Sequence, residues 1–189
     1  MGYYDVEKNV KEYIENMKSF DNKYIIEELE KYLEKDSKIL ELGTGAGKDF
    51  SILNKKYNII GSDNSEAFLS FLIKKYGKNK IIKLDAVDMK VNEKFDVIFS
   101  NKVLQHLNRN SLEDSFTQES KVLNENGIVF HTFWLGEGEE EYDGLIFNYY
   151  KKESIKQFYE KYFKLIKYEE YREESGNGND SFYIVLGKK

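Results

Sequence analysis

Apolar residues at Val6, Val10, Tyr13, Ile14 and Met17, and again at Tyr24, Ile25, Leu29, Tyr32 and Leu33, recur near the 3.6-residue period of an amphipathic helix. The stretch Ser19-Phe20-Asp21-Asn22 interrupts them, and Asp21 or Asn22 can cap a second helix. Beyond residue 35 the pattern changes to short apolar runs at 38–42, 58–63, 81–85, 95–100 and 127–134, which read as strands. Between them lie helical patterns at about 48–56, 65–77, 103–106 and 111–124.

Strands alternating with helices predict an α/β architecture, a parallel sheet covered on both faces. The end of the chain departs from this rule. Segments 162–171 and 181–187 are strand-like and are joined by the glycine-containing stretch 172–180, short enough for an antiparallel hairpin but not for a parallel crossover. The expected organisation is one domain over 1–189, with a helical cap at 1–34 on a core at 35–189. No internal repeat or low-complexity tract breaks it.

The first strand runs into the most informative segment, Glu41-Leu42-Gly43-Thr44-Gly45-Ala46-Gly47. Alternate glycines allow positive φ and leave no Cβ between main chain and ligand. A helix opening near Lys48 adds free N–H groups and a positive dipole end. The dinucleotide fingerprint G-x-G-x-x-G fails, because its third glycine would fall on Lys48. The P-loop pattern also fails, since Leu42 and Asp49 stand where it needs a glycine and a hydroxyl residue. An anionic Asp49 would repel a phosphate.

The pattern that fits, acidic-x-G-x-G-x-G with Glu41 as the acid, resembles motif I of the class I S-adenosylmethionine (SAM) dependent methyltransferases, and the resemblance extends over roughly 35–189. It implies a Rossmann-like, doubly wound, seven-stranded, mostly parallel sheet in the order 3-2-1-4-5-7-6, with the last strand antiparallel and an N-terminal helical cap. It implies SAM as cofactor, with Glu41, Gly43, Thr44 and Gly45 forming the turn against its methionine part.

Asp63 ends the second apolar run, 22 residues after Glu41, where a carboxylate can accept from ribose hydroxyls. The resemblance gives Asp63 that role, with Asn64 beside it. Asp63, Asn64 or Ser65 can equally cap the helix that starts near Glu66. The resemblance places Asp85 on the adenine amino group and the Ala86 N–H on the ring, with Asp88 as the competitor. It gives the Ser100 carbonyl to the amino group of SAM, and packs Val103 and Leu104 near the adenine or the sulfonium. Asp96, at the start of its strand, is structural.

Methyl transfer from a sulfonium asks the protein to align a nucleophile and exclude water. A general base is needed only where the acceptor must lose a proton. The candidates are His131 and His106, with Tyr150 as a more remote third. His131 sits among Phe130, Phe133 and Trp134, so a core or substrate-wall role competes. For His106, helix capping or packing competes. No nucleophilic triad is apparent. Specificity is expected from 134–150, a glycine-containing acidic and aromatic loop that is either a substrate lid or simply solvated.

Composition bounds the rest. There is no cysteine, so no disulfide or thiolate metal site, and two histidines are too few for a His-based one. No metal is expected. No apolar run is long enough to cross a membrane, and the N-terminus lacks the pattern of a signal peptide, so the expected location is cytoplasmic. A net charge of −5 argues against a broad nucleic-acid footprint. The absence of proline excludes the Asn/Asp/Ser-Pro-Pro-Tyr/Phe motif of amino-methylating nucleic-acid enzymes. The expected partner is a small-molecule acceptor. The alternatives are an RNA or protein methyltransferase, supported only by Lys74, Lys75, Lys78 and Lys80, and a non-catalytic SAM-binding module. An oxidoreductase of similar architecture would need glycine at position 48.

Overall fold

The apolar runs read from the sequence become strands whose carboxyl ends carry the candidate site. The structure, a computed structural model, describes residues 3–173 and 178–189. Part of the expected linker, 174–177, and the first two residues of the N-terminus lie outside the described residues. The chain falls into two compact units, Met1–Asp85 and Ala86–Lys189, and the N-terminal helices belong to the first.

In the first unit, a 3-10 turn at Tyr3–Asp5 leads into α1 (Glu7–Asn16), a second 3-10 turn (Met17–Ser19) and α2 (Lys23–Glu30). The break falls at the expected polar stretch. Asp21 Oδ1 accepts from the Lys23 N–H, while Asn22 donates to Asp49 Oδ1 at 2.7 Å. Three parallel strands follow, β1 (Lys38–Leu42), β2 (Asn58–Asp63) and β3 (Ile81–Lys83), in the order β3-β2-β1. Helices α3 (Lys48–Leu53) and α4 (Glu66–Tyr76) connect them. Ile39, Leu40, Leu42 and Ile59 are buried, as expected of strands covered on both faces. The third strand is two residues shorter than the sequence pattern suggests, although the Leu84 N–H still bonds to the Asp63 carbonyl at 3.0 Å. Helix α4 starts where Ser65 Oγ accepts from the Phe68 N–H, so Ser65 is its cap.

In the second unit, β4 (Phe95–Asn101) runs parallel to β5 (Leu123–Trp134), with a 3-10 turn (Leu104–His106) and α5 (Arg109–Val122) between them. The turn at 103–106 is therefore tighter than the α-helix its pattern suggests. Asn108 caps α5 by accepting from the Ser111 N–H. Strand β8 (Phe163–Tyr171) pairs antiparallel with β9 (Ser181–Lys188), the expected hairpin, and β9 pairs antiparallel with β5. The strand order is β3-β2-β1-β4-β5-β9-β8, that of the doubly wound, mostly parallel sheet expected.

One expectation is corrected. Segment 134–150 is not an irregular loop: Glu139–Tyr142 (β6) and Leu145–Asn148 (β7) form an antiparallel hairpin. Its two-residue turn, Asp143-Gly144, has positive φ at both positions (51° and 77°), the geometry that Asp-Gly favours in tight hairpins. A further helix, α6 (Lys152–Tyr159), lies beyond it and buries Ile155, Phe158 and Tyr159.

Candidate cofactor site and acceptor-side residues

Strand β1 ends in the glycine turn, where Gly43, Gly45 and Gly47 all adopt positive φ (63°, 52° and 73°). The turn is tied to β2 by main chain and by one side chain. The Thr44 N–H donates to the Ser62 carbonyl at 2.8 Å, and Thr44 Oγ1 accepts from the Ser62 N–H at 2.9 Å. The same hydroxyl donates to Glu41 Oε2 at 3.2 Å. Glu41 and Thr44 are both buried, so their side chains brace the turn from within, and the turn presents its main chain outward. Burial, followed by the nearby charges of Asp49 and Asp63, raises the Glu41 pKa well above the usual carboxylate range.

Asp63 lies beside the turn. Its Oδ2 accepts from the Gly45 N–H at 2.9 Å and its Oδ1 from the Ser65 N–H at 2.9 Å. The Asn64 N–H also acts on it; a carboxylate has about four lone-pair sites, so acceptor capacity remains. Burial raises the pKa of Asp63, and the backbone N–H groups oppose that shift. Asn64 Nδ2 donates to Asp85 Oδ2 at 3.3 Å. Thus Gly45, Asp63, Asn64 and Asp85 form a connected line within the first unit. Asp88 is instead paired with Lys90 at 2.6 Å.

The N-terminal segment reaches this line. Ser65 Oγ donates to the Tyr4 carbonyl at 2.6 Å, and the Tyr4 ring packs against Tyr13 and Phe68. A Cβ at Gly45 would come no nearer than 3.8 Å to Tyr13 Cε1 or the Gly43 carbonyl. Main chain is therefore open there to a depth of about one methyl group. The carboxylates of Asp49 and Asp63 both act electrostatically on Glu41. That field opposes a phosphate and suits a sulfonium cation, so the residues present fit SAM better than a dinucleotide.

In the second unit, Ser100 and His131 are fully buried. Ser100 Oγ and His131 Nδ1 are hydrogen-bonded at 2.8 Å, and His131 Nε2 lies 3.0 Å from Glu119 Oε2. Ser115 Oγ donates to Glu119 Oε1 at 3.1 Å. Both ring nitrogens of His131 are engaged and the ring has no exposed surface, so it cannot take a proton from an acceptor as expected of it. It belongs to a buried polar network. This network has the composition of a nucleophilic triad, which the sequence did not reveal, but none of its members reaches solvent. Leu104 is also fully buried, and Ala86 lies in the turn that follows β3.

His106 is different. Its Nδ1 lies 2.7 Å from the Ile146 carbonyl and must donate to it, which leaves Nε2 as the ring acceptor. Its ring meets Phe147 edge-on. Burial lowers its pKa, so the imidazole is neutral at pH 7. The hairpin β6–β7 thus orients a candidate base. Asn148 fastens the hairpin by donating to the carbonyls of Gln105 and Leu107. Tyr150 is buried, and desolvation raises its pKa, which makes it a poor base at neutral pH.

Residues 40–131 match the protein family described as "Methyltransferase domain". Over that segment the chain is similar to a methyltransferase domain. Such a domain uses SAM, the cofactor expected from the glycine turn. A comparison with curated proteins finds no match. Among solved structures, a TehB-like SAM-dependent methyltransferase from Corynebacterium glutamicum superposes with a TM-score of 0.77 at 18% identity, covering 97% of this chain and 98% of that one. A SAM-dependent methyltransferase from Clostridium acetobutylicum gives 0.74 at 16%, covering 96% and 98%. The 1,6-didemethyltoxoflavin-N1-methyltransferase of Burkholderia thailandensis, solved with that compound and S-adenosylhomocysteine, gives 0.73 at 12%, covering 88% and 77%. At these identities the likeness is one of fold. Among the described residues of the methyltransferase domain and its flanks, no helix is long and apolar enough to cross a membrane.

Proposed function

We propose that this methyltransferase moves the methyl group of SAM to a small-molecule acceptor. The observation that carries the proposal is Asp63, held by the Gly45 N–H with acceptor capacity to spare, next to an open glycine turn in an acidic field. When bound, SAM supplies a methyl group already activated on a sulfonium. The protein's tasks are to hold it, exclude water and, where required, remove a proton.

Asp63 accepts from the ribose hydroxyls, and Asn64 and Asp85 act at the adenine, with the Ala86 N–H on the ring. Ser100, through its carbonyl, and Leu104 keep the roles that the family resemblance gives them. His106 Nε2 takes the proton of an acceptor that must lose one. The net charge of −5 supports a small acceptor over nucleic acid, and the acceptor named for the Burkholderia thailandensis protein is a small molecule. A cytoplasmic location accords with this reading.

Calorimetric titration of the purified protein with SAM, S-adenosylhomocysteine and NADH tests it. The expected result is micromolar binding of the two sulfur ligands and none of NADH. Folded protein that binds neither sulfur ligand overturns the proposal. Binding of both, with no methyl transfer to amines, phenols or carboxylates, favours a non-catalytic binding module.

A further inference from the structure

Lys102 follows β4 directly and has φ of 58°, a left-handed backbone at a residue with a full side chain. Such a conformation persists only where its surroundings impose it. Here they do so at both ends of the residue. The Lys102 N–H donates to Thr132 Oγ1 at 2.9 Å, and Thr132 Oγ1 donates to Asn101 Oδ1 at 2.6 Å. The ammonium, on a side chain only 13% exposed, lies 2.9 Å from Glu173 Oε2. It donates to Ser181 Oγ at 2.7 Å and to the Phe133 carbonyl at 3.1 Å, and it sits 3.4 Å from the centre of the Trp134 ring.

These partners come from three places in the chain: β5, the start of β9 and the residue pair after β8. The backbone reversal at Lys102 in turn aims the 3-10 turn Leu104–His106. Trp134 belongs to both arrangements, because its N–H donates to Gln105 Oε1 at 3.2 Å. The ammonium therefore holds the ring of Trp134 and the turn holds its backbone N–H.

We infer that Lys102 is a positioning residue, whose ammonium, pinned between Glu173, Ser181 and Trp134, fixes the exit from β4 and so holds His106 in its orientation. The β8–β9 hairpin thereby acts on the acceptor side of the enzyme without touching the reacting atoms. This inference rests on the reading of His106 as the acceptor-side base.

The test combines nuclear magnetic resonance with calorimetry on wild type, Lys102→Met and Glu173→Gln. Lys102→Met keeps the length of the stem and removes the charge. Glu173→Gln keeps the lysine and weakens its hold, and it serves if the first variant does not fold. The readouts are the titration of the His106 ring, amide exchange over 103–107, and binding of S-adenosylhomocysteine. In the variants, His106 is expected to titrate closer to its ordinary value of about 6.5, with local exchange faster by about tenfold or more. A lowered Tm with unchanged His106 titration and unchanged exchange at 103–107 overturns the inference, since a merely structural ion pair would give that result. If wild type binds no S-adenosylhomocysteine, the functional reading falls on its own, and the resonance comparison still decides the positioning role.

Discussion

The Gly45 N–H donates to Asp63 Oδ2 at 2.9 Å, which locks the glycine turn to the tip of β2. Two segments 18 residues apart therefore share one proton, and the acid that binds ribose in this reading also shapes the loop beside it. A substitution at Asp63 acts on both.

Asp63→Ala is expected to abolish measurable binding of S-adenosylhomocysteine. Two hydrogen bonds from hydroxyls to a charged acceptor contribute roughly 1.5–3 kcal/mol each, so Kd rises by about a hundredfold or more. Asp63→Asn keeps one acceptor oxygen and loses less. Calorimetry on variants with native circular dichroism measures both. Unchanged affinity in Asp63→Ala would remove the ribose assignment.

Two glycines near the turn predict different lesions. A Cβ at Gly47 would meet Leu72 Cδ2 at 2.9 Å and Tyr76 Cε2 at 3.2 Å, on a backbone already at φ 73°. A left-handed alanine costs about 1–2 kcal/mol and overpacking about 1–3 more, so Gly47→Ala should destabilise by roughly 2–5 kcal/mol. At Gly61 the backbone is ordinary, but a Cβ would come within 2.8 Å of Thr44 Oγ1 and within 2.9 Å of Ile81 Cδ1 and Phe50 Cδ2. Gly61→Ala therefore overpacks the core and also pushes on Thr44, the clamp between turn and β2. It should lower both stability and cofactor affinity when urea melts and calorimetry are compared, whereas Gly47→Ala should act mainly on stability.

Glu41 predicts how stability depends on pH. Burial holds its folded pKa well above the unfolded value. Folded protein thus keeps a proton that unfolded chain releases, and stability falls as pH rises. The contribution is fully present below about 4.3, the ordinary glutamate value, and is lost as pH climbs through the folded pKa. Glu41→Gln removes this titration. Its Tm relative to wild type should improve steadily from pH 5 to pH 8, and a parallel pair of Tm curves would contradict the assignment.

The sheet was legible because parallel strands buried on both faces write themselves as apolar runs, as in Ile39-Leu40 and Val97-Ile98-Phe99. The glycine turn was legible because its backbone demands glycine at set positions. The hairpin at 139–148 escaped because three glutamates and a tyrosine mask its first strand, although Asp143-Gly144 carried the turn signal. The Lys102 pin could not be read, since its partners lie up to 79 residues away and nothing local marks them. His131 was visible as an unusual residue in an apolar strand, but its partner Glu119 decided its role.

Glu119 had a local signal. On α5 the buried positions Leu112, Ser115, Phe116, Glu119 and Val122 form one helical stripe, and an acid on such a stripe needs a partner. His131 supplies it from β5, with Ser100 and Ser115 completing the network. Removing one member strands the others without water. Glu119→Leu and His131→Phe should each cost about 2–4 kcal/mol in urea unfolding. The double variant leaves two apolar groups facing one another and should cost less than the sum of the singles, with a coupling of about 1–3 kcal/mol. Cofactor affinity should fall only slightly in every case, because the network touches Ser100 through its hydroxyl and leaves its carbonyl in place. A loss of cofactor binding in His131→Phe comparable to that of Asp63→Ala would mean that the network positions the cofactor directly.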